Sequence, residues 1–153
     1  MSIFRISLAL SLVAVAAMAQ QPEKLAVTAS EIAALTAKAK AERKPDQPTF
    51  AQPIISYAPY GANLEYRAAI GPSSVHTKYA EMFVVVDGSA TLMTGGKLVN
   101  EKQNGDNFSG TAIEGGSSRP VAKGDVVIVP PNTPHWFSKI NGTIVLMSFR
   151  LPH

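Results

Sequence analysis

The feature that most limits the fold is punctuation. Downstream of Phe50, the turn-forming dipeptides Asp87-Gly88, Gly95-Gly96 and Asn141-Gly142 cut the chain into short apolar runs. Helices of globular proteins need about ten or more uninterrupted residues, so these runs read as strands. Leu64, Tyr66, Ala68 and Ile70 alternate with Glu65, Arg67 and Ala69, the period of a half-buried strand. Residues 82–86 form a β-branched run closed by Asp87-Gly88. The pairs of runs around Gly95-Gly96 and around Asn141-Gly142 read as two hairpins. Residues 126–129 read as a buried strand, and the polar, Gly- and Asn-containing stretch 100–110 as an exposed loop. Short, closely spaced strands with little helix predict an all-β sandwich or barrel.

One helix is expected, over residues 28–43. Thr28 and Glu31 have capping-box spacing, and Ala, Leu, Lys and Glu dominate the rest of the segment. Lys38, Lys40, Arg43 and Lys44 load its C-terminal end, where the helix dipole favours cations, and Pro45 and Pro48 stop it. Its apolar face (Ile32, Leu35, Ala39) is thin, which suits a docked arm or a spacer. Further upstream, Arg5, the apolar stretch 6–17 and the small-x-small triplet Ala17-Met18-Ala19 read as a cleaved signal peptide. The stretch is too short for a comfortable membrane span, so no stable membrane insertion is expected. The expected organisation is a signal peptide at 1–19, a helical arm and linker at 20–49, and a β-barrel domain at 50–153. The expected location is the periplasm or outside the cell.

Charge narrows the function classes. The chain of 153 residues has a formal net charge of +3. The excess is local, because residues 45–153 carry eight basic and eight acidic side chains. A neutral barrel argues against a nucleic-acid partner and leaves a small molecule as the expected one. Cysteine is absent, which excludes disulfides, thiolate metal sites and thiol nucleophiles.

Only three histidines are present, and His153 is the last residue. His76 and His135 stand where expected strands begin, and Glu81 follows His76 by five positions. Two imidazoles and one carboxylate are a common divalent-metal set that leaves coordination positions open.

In these residues the chain resembles the cupin superfamily, over roughly residues 64–150. Glu81 and Gly88 have the spacing of the second half of the family's first motif, and His76 falls on that motif's second histidine. Ser74 falls on the first histidine, a departure, and Gly71 lies too close to serve as the opening glycine. Gly124, Pro130 and His135 match the second motif. Asn132 stands in place of its glycine and Lys139 in place of its asparagine. An alternative register keeps His76, Glu81 and His135 and puts Lys78, not Ser74, at the vacant position.

The resemblance implies a cupin-type double-stranded β-helix, or jelly-roll barrel, with a short N-terminal helix after the signal peptide. It implies one divalent ion (Fe, Mn, Zn or Ni) on His76, Glu81 and His135, and a homodimer. Tyr66, Lys78 and Phe137 are candidate substrate-binding residues. Three functions fit such a chain. One is a metal-dependent enzyme acting on a small organic substrate by dioxygenase- or isomerase-type chemistry. The others are a non-catalytic periplasmic small-molecule-binding protein and a metal-free structural relic. For the leader, the expected outcome is a mature N-terminus at Gln20. Intact-mass measurement of the exported protein checks it, and a mass retaining residues 1–19 contradicts it.

Overall fold

The computed structural model describes residues 23–153, so the expected signal peptide lies outside the described residues. The helix α1 (Ala29–Glu42) begins as anticipated. Thr28 Oγ1 accepts from the Glu31 amide at 3.2 Å, and the Thr28 amide donates to Glu31 Oε2 at 2.7 Å. Eleven strands follow: β1 (Thr49–Tyr57), β2 (Tyr60–Arg67), β3 (Ser73–His76), β4 (Tyr79–Thr94), β5 (Lys97–Val99), β6 (Lys102–Asn104), β7 (Asn107–Gly110), β8 (Ala112–Glu114), β9 (Ser117–Ala122), β10 (Val126–Val129) and β11 (His135–Pro152).

Two long strands organise the rest. β4 and β11 pair antiparallel along almost their whole length, from His135 opposite Thr94 to Pro152 opposite Tyr79. Their Glu81-side half lies between β2 and β10, with β1 outside β2. Their His135-side half lies between β3 and β9, with β7 and β6 beyond β3. The result is two facing sheets that share β4 and β11, an antiparallel jelly-roll barrel. Side chains from both halves fill the space between them: Phe83, Val85, Val129, Ile144 and Leu146 from one, Ala90, Leu92, Val121 and Phe137 from the other.

A second core lies outside the first sheet. Ile54, Ala62, Leu64, Tyr66 and Val145 point away from the barrel interior and receive Ala39, Ile32 and Leu35 of α1. The helix is therefore a docked arm. Ile54 and Leu64 are fully buried there, each stabilising by roughly 1.5–3 kcal/mol relative to exposure.

Several expectations need correction. Asp87-Gly88 does not close its strand and Asn141-Gly142 does not make a hairpin, because β4 and β11 continue through them. The two dipeptides meet instead. Ala90 pairs with Ile140 and Gly88 with Ile144, so β11 carries extra residues and bulges there. The runs flanking Gly95-Gly96 do not pair with each other, since β5 pairs with β8. The stretch read as an exposed loop forms the hairpin β6–β7, and β7 adds to β3. β10 is an edge strand with Val126 and Ile128 exposed by 62% and 59%, so it is buried on one face only. β2 errs the other way: Glu65 is buried as well as Leu64 and Tyr66, because α1 covers one face and the barrel the other.

The bulge explains why glycine stands at 88. Its φ is +79°, and a Cβ there would lie 2.0 Å from the Thr143 carbonyl oxygen. Gly142 has a similar φ, +76°, with nothing within 4 Å. Gly142→Ala is therefore expected to cost about 1 kcal/mol from backbone strain alone, and Gly88→Ala roughly 3 kcal/mol or more. Urea-unfolding midpoints of the two variants check the difference. Equal losses would show that the close approach of β4 and β11 is not what requires the glycine.

Candidate metal centre

The bulge also brings the two ends of the β4–β11 ladder to face each other across the barrel. Glu81 sits on one half of β4, and His135 opens β11 on the other sheet. His76 closes β3, which pairs with β11 through Ser74 opposite His135. Trp136 fastens this corner by donating Nε1–H to the Gly71 carbonyl at 2.8 Å, just before β3 begins. His135 Nε2 and His76 Nε2 lie 3.1 and 3.3 Å from the same Glu81 oxygen, Oε2. The ligand atoms of the three residues all fall within 4.8 Å of one another.

Each imidazole is fixed from behind. The Thr133 carbonyl can only accept, so His135 Nδ1, 3.1 Å away, must donate to it. Nε2 of that ring is then the atom turned to Glu81. His76 Nδ1 lies 2.9 Å from Asn107 Oδ1 and donates to it, leaving its Nε2 to the centre. The Tyr79 hydroxyl lies 2.9 Å from the same Nδ1, and the Tyr79 ring stacks on the imidazole at 4.6 Å. Ser148, on the neighbouring half of β11, donates its hydroxyl to Glu81 Oε1, leaving Oε2 for the centre. Phe83 lies beneath, its ring 6.0 Å from His135 and 5.4 Å from Phe137.

The donor set suits a divalent cation. With Nδ1 of both rings donating outward, both Nε2 lone pairs converge on an anionic oxygen. That arrangement is repulsive until a cation, metal or proton, sits among the three atoms. Without metal, the proton does this work. Burial penalises the Glu81 carboxylate, but hydrogen bonds from His135, His76 and Ser148 outweigh it and hold the carboxyl far below its usual range. Burial likewise opposes charge on His76, but its bonds to Glu81 and Asn107 outweigh that and raise its pKa above 6.5.

The residues expected from sequence divide sharply. His76, Glu81 and His135 come together. Phe137 faces the interior as part of the floor, with the Arg67 guanidinium 4.7 Å over its ring. Tyr66 is on the wrong face of β2, packed under α1, because its neighbours Glu65 and Arg67 take the inner face. Lys78 is exposed in the bend between β3 and β4 and takes no part in the centre. Ser74 is the better candidate for the vacant position: it lies two residues before His76 on the same face and pairs directly with His135. Sequence reasoning missed Tyr79, Asn107 and Ser148. Of these, only Tyr79 carried a signal, its place between His76 and Glu81.

Comparisons with known proteins agree with this architecture. The family model described as cupin matches residues 60–151. No curated protein matches the chain. Among solved structures, FeII HppE aligns with a TM-score of 0.54 at 14% identity, covering 71% of this chain and 54% of that one. KdgF from Halomonas sp. aligns with a TM-score of 0.53 at 13% identity, covering 72% of this chain and 84% of that one. The Cnp3 cupin domain of Schizosaccharomyces pombe aligns at 0.53 and 13% identity, covering 74% and 72% respectively. This chain thus spans about half the length of FeII HppE.

A pH dependence is expected for the metal-free protein. The raised His76 pKa gives stability that is fully present below its ordinary 6.5 and is lost as pH rises through the folded value. The lowered Glu81 pKa gives stability present above 4.5 and lost as pH falls towards the folded value. Melting temperature of chelator-treated protein should therefore be highest between those pH values and decline on the alkaline side, and His76→Gln should remove that alkaline decline. A decline of the same size in the variant would contradict the assignment.

Proposed function

Because the chain belongs to the cupin family, we propose that it binds one divalent metal ion through His76, Glu81 and His135 and is an exported enzyme acting on a small organic molecule. One observation carries this reading. Two imidazoles with Nδ1 already committed, and a carboxylate with Oε1 already committed, aim their three remaining ligand atoms at a common point. Such a two-nitrogen, one-oxygen set accepts iron, manganese, zinc or nickel. The similarity to FeII HppE supports iron as the first metal to test.

Bound there, such an ion would supply a Lewis acid with open positions for a substrate oxygen or for dioxygen. The chain's own residues do the rest. Asn107 and Thr133 hold the ring tautomers, and Ser148 holds the carboxylate. Phe83, Phe137 and Leu146 keep water out from below. Tyr79 sets its hydroxyl 2.9 Å from His76 Nδ1, the nitrogen turned away from the centre. Burial pushes the Tyr79 pKa up, so it keeps its proton at neutral pH. Three protein ligands would leave coordination positions open for a reacting molecule, which favours oxygen-dependent or isomerisation chemistry over simple ligand storage. A metal-free relic is disfavoured, because such a chain has no reason to keep both rings backed and aimed.

Elemental analysis of the mature protein tests the proposal. About one metal ion per chain is expected, falling to roughly a tenth or less in His76→Ala and in His135→Ala. Asn107→Ala should retain fold but weaken metal binding by roughly 10–100-fold, the effect of losing a group that orients a ligand. Sub-stoichiometric metal in the unaltered protein, unchanged in both histidine variants, would overturn it.

A further inference from the structure

One charged side chain near the centre has no charged partner. Arg150 is the direct cross-strand neighbour of Glu81 on one side and of Gly61 on the other. Glu81 does not neutralise it, since its two oxygens are taken by Ser148 and the histidines. Gly61 has no side chain to cover it. Among the described residues Arg150 makes no ion pair or side-chain hydrogen bond. Its guanidinium carbon lies 5.7 Å from the centroid of Tyr79, the ring stacked on His76.

Arg150 also lines a cavity of about 480 Å³ at the β1–β2 hairpin, together with Asn63, Tyr57, Tyr60 and Glu23. The volume lies in the range of small-molecule sites. Tyr57 and Tyr60, which pair across the hairpin, are 46% and 54% exposed, so both rings are open to a ligand. They provide flat, apolar walls with hydroxyl tips. Arg150 is the one cation in the lining and Glu23 the one anion, and Asn63 adds an amide. A single fork-shaped cation suits a singly charged planar carboxylate better than a dianionic phosphate, which calls for more than one positive group.

We propose that this cavity binds a small organic carboxylate, with Arg150 holding the carboxylate and Tyr57 and Tyr60 flanking an apolar or ring-shaped body. Arg150 also lies 5.7 Å from the Tyr79 ring that stacks on His76, but neither Tyr79 nor any of the three ligands lines the cavity, so the anion site stands apart from the metal reading.

Ligand-observed NMR titration of the mature protein tests it, with benzoate, its neutral isostere benzamide, and inorganic phosphate as probes. Each is measured on zinc-loaded and on chelator-treated protein. Benzoate is expected to bind about tenfold or more tightly than benzamide or phosphate. Arg150→Gln should bring benzoate down to the benzamide level, Arg150→Lys should retain part of the preference, and Lys123→Gln, remote in the bend near Asp87, should change nothing. Equal binding of benzoate and benzamide, phosphate binding as tightly as benzoate, or an Arg150→Gln variant that binds benzoate normally would each overturn the proposal. The two readings fail separately. Loss of zinc binding with benzoate selectivity intact removes only the metal centre, and normal zinc content without selectivity removes only the acid site.

Discussion

Everything in this molecule depends on the fold-back of one ladder. Glu81 and Thr94 are thirteen residues apart on β4, which in a straight strand would separate them by roughly 43 Å. His135 is paired with Thr94, yet its Nε2 lies 3.1 Å from Glu81 Oε2. The ladder must therefore turn over on itself between these points. It does so at the bulge where Gly88 meets Thr143 and Ile144, with a positive φ that lets the two backbones approach. A two-stranded ribbon that bends as a unit keeps its hydrogen bonds while changing sheets. That makes the bend both the seam of the barrel and the device that assembles the centre.

Around this seam the interior is layered. The bottom is apolar, with Phe83, Phe137, Leu146 and Ile144 in one cluster. Above it lie the two imidazoles and the carboxylate, each with its remaining polar atom satisfied by a neighbour. No buried side-chain nitrogen or oxygen among the described residues lacks a partner. A half-satisfied cluster in a low-dielectric barrel would be costly, whereas this one is complete apart from the point at which its three ligand atoms aim. The layer is positioned by strands, not by loops, so the ligand atoms are held in advance of any ion.

The ligand triad was legible in the sequence because metal binding narrows the residue types so severely. With two internal histidines in the whole chain, and a glutamate at the cupin spacing from one of them, few other sets were available. The helix was equally legible, since a capping box and two prolines mark its ends through local chemistry alone. What the residues did not reveal was partnership. Asp87-Gly88 and Asn141-Gly142 have the composition of hairpin turns, and only their meeting across β4 and β11 makes them a bulge. Tyr66 and Glu65 alternate as in a half-buried strand, and only the docking of α1 makes both faces interior. Asn107 lay in a stretch that looked like solvent-exposed loop, and it backs His76 because β7 adds to β3. Each miss is a long-range contact overriding a local pattern.

The charges inside the barrel then acquire a direction. Glu65 and Arg67 cancel: Arg67 reaches Glu65 Oε2 from Nε at 2.8 Å and from its terminal nitrogen at 2.6 Å, and it lies over Phe137. This pair closes on itself and offers nothing outward. Glu81 contributes one negative charge, which a divalent ion would exceed by one. Arg150 adds another positive charge that makes no ion pair among the described residues, with Glu23 the one anion in the same cavity lining. With an ion bound, the centre and Arg150 would each carry one excess positive charge against the one negative charge of Glu23, although residues 45–153 as a whole carry equal numbers of basic and acidic groups. In a barrel of balanced charge a local excess of this kind attracts small anions without drawing in polyanions such as nucleic acid. The same arrangement that makes Glu81 a ligand is what leaves Arg150 free.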